Sequence, residues 1–354
     1  MIKCVVWDID NTLLTGVYLE SGDQLPEPDP ELLIVLRELA GRGILNALAS
    51  RNPPAAARYV AKVTGVDFAA EECGWGSKAE AMRRIAAELS LAPDALAFVD
   101  DDMLERAEVA AALPDVLVLT PKDAVEAPSW PAFSPAVITD EARRRSELYA
   151  HRRQRQAEAA AFGGSRDEFL RHVGTRITIA PATEADLPRL HELSVRTHQL
   201  NSGGEEVSEA DLAGYLAAAG AAVYTVRLAD NFGDDGLVGA AIMTGNEAGG
   251  DAVGLVSGAV GVCRVPLVMM SCRALGRGAL DALLAWLCRA AAAAGATELQ
   301  IPCLVTERNV PMRLALAAAG LRAEPGSVGL DGRAIFARSL TGTLPRLADW
   351  VTVA

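Results

Sequence analysis

Short apolar runs separated by amphipathic stretches set the pattern of the first 120 residues. A strand is predicted at 2–7, a helix around 30–42, a strand in the run ILNALAS at 44–50, a helix from about 54 and another at 78–90. The strand ALAFVD at 95–100, a helix at 104–112 and the strand DVLVL at 115–119 follow. Apolar strands alternating with helices imply βαβ units and a parallel sheet covered on both faces. Ligands of such sheets sit beyond the carboxyl ends of the strands. Asp8, Ser50 and Asp100 fall at three of those ends.

The pattern changes after residue 120. Prolines at 121, 128, 131 and 135 mark the tail of this domain. Residues 139–174 read as a helical connector, with the arginine-rich RRRSELYAHRRQRQ running to a break at Gly163-Gly164. A second domain is predicted from 175: strand TRITIA at 175–180, helices at 183–195 and 208–219, strands near 222–229 and 236–243, and an apolar glycine-rich region at 252–271. An alanine-rich helix at 278–295, the strand ELQIP and a last helix at 309–319 complete it. The expected organisation is a domain at 1–138, the connector, and a domain at 175–354, without internal repeat.

Composition narrows the class. In 354 residues 51% are hydrophobic, much of that alanine, yet no run is long enough to cross a membrane. Met-Ile-Lys leads directly into a strand rather than a signal peptide, so a cytoplasmic protein without membrane partner is expected. The six cysteines form no Cys-x-x-Cys pair, which argues against a zinc site or disulfide framework. Residues 1–140 hold 11 Lys/Arg against 23 Asp/Glu, and residues 141–354 hold 22 against 23. Without a basic surface a nucleic-acid partner is not expected, and the acidic first half suits a cation.

The stretch VVWDIDNTLL places Asp8 and Asp10 at the end of an apolar strand. Carboxylates there are costly to bury unless they are paired or bound to metal. Asp8-x-Asp10-x-Thr12, Ser50, Lys78 and Asp100-Asp101 together resemble the four motifs of the haloacid-dehalogenase (HAD) superfamily of phosphotransferases. The resemblance implies that Asp8 attacks phosphorus and Asp10 acts as general acid and base. It also implies that Thr12, Ser50, Arg51 and Asn52 meet substrate or phosphate, that Lys78 steadies the charge, and that Asp8, Asp10, Asp100 and Asp101 hold Mg²⁺.

In the second half, MMSCRALGRGALDALLAWL carries Arg273-x-x-Gly276-Arg277-Gly278 ahead of a long helix. Glycines there let backbone amides approach an anion at a helix N-terminus. The segment resembles the pyrophosphate loop of GNAT acyltransferases, which implies pantetheine binding by Arg273, Gly276, Arg277 and Gly278. Cys272 directly precedes the loop as a candidate nucleophile. Cys4, Cys263, Cys288 and Cys303 read as core residues. The expected fold class is therefore α/β, a HAD-like doubly wound parallel sheet followed by a GNAT-like α+β domain.

Over nearly the whole chain, KCVVWDIDNTL, ASRN, WGSKAEAM, FVDDDMLERAEVAAALPDV, RRRSELY, RTHQLN, DNFGDDGLVG, MSCRALGRG and TERN resemble the FkbH-like family. These are HAD-type glyceryl transferase/phosphatases of polyketide synthesis. The resemblance implies transfer of a glyceryl group from 1,3-bisphosphoglycerate to Cys272, loss of the remaining phosphate, and passage to the phosphopantetheine thiol of an acyl carrier protein. His198, Asn201, Asp230 or Asp234, and Asn309 are candidates for orienting the thiol or the glyceryl hydroxyls. Asn309 reads equally as a helix cap. His198 and Leu200 replace the family's usual Asn and Phe, and Leu14-Thr15-Gly16 and Glu20-Ser21-Gly22 replace Trp-Gly-Gly and Glu-Asp-Gly, which bears on the group transferred. Arginines at 143–145 and 152–155 are candidates for docking an acidic carrier. Two alternatives stand beside this reading: a small-molecule phosphatase joined to an acyl-CoA-dependent acyltransferase, and a non-catalytic carrier-binding homologue.

Overall fold

The computed structural model describes residues 1–22, 24–135, 138–139, 144–197, 199–245, 261–323, 326, 328–329 and 332–353. The chain divides into two compact units, 1–154 and 155–354. The division falls inside helix α6 (Arg145–Ala161), so the stretch expected as a connector at 139–174 is shared between the units rather than being a body of its own.

In the first unit, β1 (Cys4–Trp7), α1 (Pro30–Gly41), β2 (Leu45–Ser50), α2 (Pro54–Thr64), β3 (Glu71–Cys73), α3 (Lys78–Leu89), β4 (Leu96–Val99), α4 (Met103–Ala112), β5 (Leu117–Leu119) and α5 (Pro121–Glu126) follow in order. Among the described residues the strands make one parallel sheet, ordered β3-β2-β1-β4-β5. Successive residues of a strand point to opposite faces, and here both faces are covered. Val5, Trp7, Ala97 and Val99 pack with Leu32, Leu36 and Val60 of α1 and α2. Cys4, Val6, Leu96 and Phe98 pack with Met82, Ile85 and Val109 of α3 and α4. The doubly wound arrangement therefore follows from the apolar runs. Helix starts are set locally: Asp29, Ser77 and Asp102 each accept a backbone N–H of the first turn of α1, α3 and α4.

The second unit holds α7 (Arg166–His172), β6 (Arg176–Pro181), α8 (Leu187–Arg196), α9 (Glu209–Ala217), β7 (Ala221–Asp230), β8 (Gly233–Thr244) and β9 (Gly261–Met270). After them come α10 (Ala279–Ala293), β10 (Ala296–Leu304), α11 (Val310–Ala318), β11 (Arg322–Ala323), β12 (Arg333–Ser339) and β13 (Val351–Val353). Among the described residues the strands form a mixed sheet ordered β11-β12-β10-β9-β8-β7-β6-β13. Helices α10 and α11 cover one face, and α8 and α9 the other. The expected α/β class, with a parallel sheet followed by an α+β unit, is the observed one.

Strands β9 and β10 run parallel, and their register ends at Arg264↔Gln300, although β9 continues to Met270 and β10 to Leu304. Beyond that point the two strands diverge and leave their facing backbone groups to other partners.

Candidate functional site

Parallel β1, β2 and β4 deliver Asp8, Ser50 and Asp100 to one edge of the first sheet. The Asp8 N–H donates to the Val99 carbonyl at 2.9 Å, which fixes the carboxylate at the strand end. The chain then turns tightly through Ile9–Leu13, with Asn11 in the left-handed region at φ 48°. That turn returns Asp10 and Thr12 toward the strand ends. Asp10 Oδ1 accepts the Tyr18 N–H at 2.9 Å, and its Oδ2 accepts Asn52 Nδ2 at 2.9 Å.

Lys78, at the start of α3, is 3% exposed. Its ammonium donates to the Asp8 carboxylate and, at 2.7 Å, to the Ala49 carbonyl, and lies 3.1 Å from Asp100 Oδ2. Burial pushes the Asp8 carboxyl up against the opposing pull of Lys78, and pushes Asp100 up to about 6. Burial works to lower Lys78, but Asp8 and Asp100 more than offset it and hold the ammonium above its ordinary value.

Asp8, Asp100 and Asp101 each offer a carboxylate oxygen, all within 4.8 Å of one another. Asp100 Oδ2 is buried, with the Lys78 ammonium at 3.1 Å beside it. Three hard oxygen donors gathered this closely, two of them on buried residues, fit Mg²⁺, which binds through one or two carboxylates, water and phosphate oxygens. Lys78 alone does not balance this group of carboxylates, so an anionic phosphate needs a further cation to approach.

Some expected roles shift. The Asp10 carboxylate, expected as a metal ligand, lies outside the three-carboxylate group, and its two oxygens accept from the Tyr18 N–H and Asn52. Thr12 Oγ1 lies 3.4 Å from Asp101 Oδ1 and accepts the Asp101 N–H at 3.1 Å, so it holds the acidic loop. Arg51, expected to meet substrate or phosphate, pairs with Glu105 of α4 at 2.8 Å. Asn52 is buried against Asp10 and Ser50. The cleft beside Ser50 and Lys78 is lined further by Cys73, Gly74, Ser77 and Arg84, none of them expected as site residues.

In the second unit, Cys272 opens a short turn between β9 and α10 and is half-buried. Its thiol donates to Gln199 Oε1 at 4.0 Å, a partner not expected from the sequence although it lies in RTHQLN. Gly276 and Gly278 both take φ 76°, a left-handed backbone suited to glycine, and Gly278 caps α10. Arg277 does not face a ligand. It is buried in a quartet with Asp230, at 2.7 Å, and Asp235, and Arg155 pairs with Asp230 and lies 3.6 Å from Asp235. The two guanidinium groups hold Asp230 below the usual carboxylate range against the effect of burial. Arg277 as pantetheine ligand and Asp230 as thiol-orienting group are thus corrected, and Arg273 is likewise buried.

The remaining candidates serve turns. Asp234 is exposed and accepts the Gly236 N–H at 2.8 Å in the β7–β8 hairpin. Asn201 accepts the Gly204 N–H at 3.1 Å. Asn309 accepts the Thr306 N–H at 3.1 Å and donates to the Leu304 carbonyl, so it staples a loop and makes no side-chain cap to α11. His198 lies outside the described residues. Of the arginines expected to dock a carrier, Arg153 pairs with Glu71, Arg152 donates to Ser90 Oγ, and Arg155 is buried. Arg143 lies outside the described residues.

Residues 200–202 fill the gap where β9 and β10 diverge. The Met270 N–H donates to the Leu200 carbonyl at 2.8 Å, the Ser202 N–H to Val268 at 2.9 Å, and the Leu304 N–H to Ser202 at 2.9 Å. This strap takes backbone groups of both strands that an extended ligand would otherwise pair with.

No protein-family model and no curated protein matches the chain. Among solved structures it is similar to the N-terminal part of a Bacteroides fragilis protein containing a phosphatase domain, complexed with Mg: 27% identity over 36% of this chain and 39% of that one, TM-score 0.33. It is similar to 3-deoxy-D-manno-octulosonate 8-phosphate phosphatase from Moraxella catarrhalis at 22% identity over 31% and 63% of the two chains, TM-score 0.27. A Desulfovibrio desulfuricans protein described as a GNAT-family acetyltransferase shares 16% identity over 47% of this chain and 99% of that one, TM-score 0.38. The chain spans less than two thirds of either phosphatase structure.

Proposed function

We propose that the first unit is a magnesium-dependent aspartate phosphatase of the HAD type and that the whole chain is a glyceryl transferase/phosphatase. The observation that carries the phosphatase reading is the buried set Asp8, Lys78 and Asp100, with Asp10 held alongside by Asn52 and Tyr18. Asp8, Asp100 and Asp101 would hold Mg²⁺, which when bound neutralises phosphate charge. An Asp8 oxygen forms a bond to phosphorus as the bond to the leaving oxygen breaks, and Asp10 gives that oxygen its proton. Water then attacks phosphorus, Asp10 takes the water's proton, and the Asp8 carboxylate is released with inorganic phosphate. Lys78 and Ser50 orient the nucleophile and the phosphoryl oxygens.

In the second unit Cys272 attacks the acyl phosphate carbonyl of 1,3-bisphosphoglycerate. Phosphate leaves, and a thioester remains on the enzyme. The remaining 3-phosphoester is hydrolysed by the Asp8 and Asp10 steps given above, releasing inorganic phosphate, and the glyceryl group then passes to the phosphopantetheine thiol of an acyl carrier protein, which returns Cys272 to its thiol form. Support comes from the place of Cys272 at the end of β9, beside the glycine turn and Gln199.

Intact-mass spectrometry after incubation with 1,3-bisphosphoglycerate, Mg²⁺ and a holo carrier protein tests the whole reading. Glyceryl adducts are expected on enzyme and carrier, with Cys272→Ala removing the enzyme adduct and Asp8→Asn trapping a phosphoglyceryl species. Phosphate release without any adduct contradicts the transferase and leaves a phosphatase. Neither adduct nor phosphate contradicts both.

A further inference from the structure

We infer that Asn52 is a positioning residue for Asp10, joining the acid–base carboxylate to Ser50 rather than contacting phosphate. The inference rests on the phosphatase reading. Asn52 is 1% exposed, and its amide nitrogen donates to Asp10 Oδ2 at 2.9 Å and to Ser50 Oγ at 3.1 Å. Both N–H groups are therefore directed at two other site residues. The amide oxygen on the opposite side is buried and accepts no hydrogen bond among the described residues.

That orphaned oxygen is informative. A buried acceptor without a partner is destabilising, and turning the amide over would set an oxygen against the Asp10 carboxylate. The site keeps the orientation in which the nitrogen faces Asp10 and leaves the oxygen unpaired. The backbone supports the same placement. Asn52 precedes Pro53, which restricts it to extended conformations, and Pro54 starts α2 at once, so the side chain leaves a stiff segment. On its other flank Asp10 meets the Tyr18 N–H. A carboxylate gripped at both oxygens has one orientation from which to give and take a proton.

A role acting through Asp10 separates from simple structural support by its dependence on the leaving group. Alkyl phosphates leave as strongly basic alkoxides and need the proton that Asp10 supplies, whereas p-nitrophenolate leaves without it. With Mg²⁺ present, kcat/KM for Asn52→Ala is expected to fall about a hundredfold on glycerol 3-phosphate and less than about fivefold on p-nitrophenyl phosphate. Asn52→Asp, which keeps the shape but sets a second carboxylate against Asp10, is expected to show the same unequal losses and covers the case that the alanine variant does not fold. Equal losses on the two substrates in a folded variant would overturn the inference. A wild-type enzyme inactive on both would overturn the phosphatase reading and this inference with it, whereas wild-type activity with equal losses removes only the role of Asn52.

Discussion

Lys78 stands between two carboxylates it only partly compensates. Removing one partner of a buried ion pair costs about 3–5 kcal/mol. Lys78→Met, which leaves Asp8 and Asp100 facing each other, is accordingly expected to lower stability by about that amount in urea unfolding, and a midpoint equal to wild type would contradict the pairing. Asp100 has the opposite signature. Raised from its ordinary 3.8 to about 6, its carboxyl binds a proton more tightly folded than unfolded. Its contribution thus favours the metal-free fold below pH 4 and is lost as pH rises through 6. Mg²⁺ competes for the same oxygen, so its thermal protection is expected to be full at pH 7.5, to fade as pH falls through 6, and to vanish in Asp100→Asn. Asp8, Ser50 and Asp100 were legible in the sequence because each sits at a strand end fixed by its own apolar run, and Lys78, at the start of α3, because it matches the third motif of the HAD resemblance. Arg277 was not, because its partners Asp230, Asp235 and Arg155 come from two separate stretches of chain that only the fold assembles.

Elements with long uniform patterns were legible to within a few residues, among them α1, α3, α10 and the strands around Asp8 and Asp100. Short or edge strands such as β3, β11 and β13 were not, since two or three residues carry too little periodicity. The apolar glycine-rich stretch at 252–271 holds β9 at Gly261–Met270, while residues 246–260 lie outside the described structure. No pattern announced the strap at 200–202, whose strand-like pairing is imposed by the divergence of β9 and β10. Gly204, at φ 72°, closes the strap with Leu304 directly over the place a Cβ would take. Gly204→Ala is therefore expected to destabilise the protein by about 1–3 kcal/mol in chemical denaturation. Amide exchange at Ser202, Val268 and Leu304 is expected to stay slow when acetyl-CoA is added; acceleration there would mean that a pantetheine arm displaces the strap.

For the whole molecule the acidic first half and near-neutral second half place their charges differently. In the first, three of the 23 acidic residues gather their carboxylate oxygens within 4.8 Å of one another. In the second, part of the arginine content is turned inward, with Arg155 and Arg277 buried against two aspartates. Because one guanidinium pair faces one carboxylate pair, Asp235→Ala, which leaves Arg155 and Arg277 to share Asp230 alone, is expected to cost about 3 kcal/mol, read as a lower denaturation midpoint. A surface role for either arginine would leave the midpoint unchanged.

Trapping of a phosphoryl group on Asp8 tests the central claim most directly. The protein, incubated with Mg²⁺ and a phosphoryl donor and quenched in acid, is digested and its N-terminal peptide read by mass spectrometry. Phosphate is expected on Asp8 in the wild type, with neither label nor turnover in Asp8→Asn. Continued phosphoester hydrolysis by Asp8→Asn, or a label on another residue, would contradict the account.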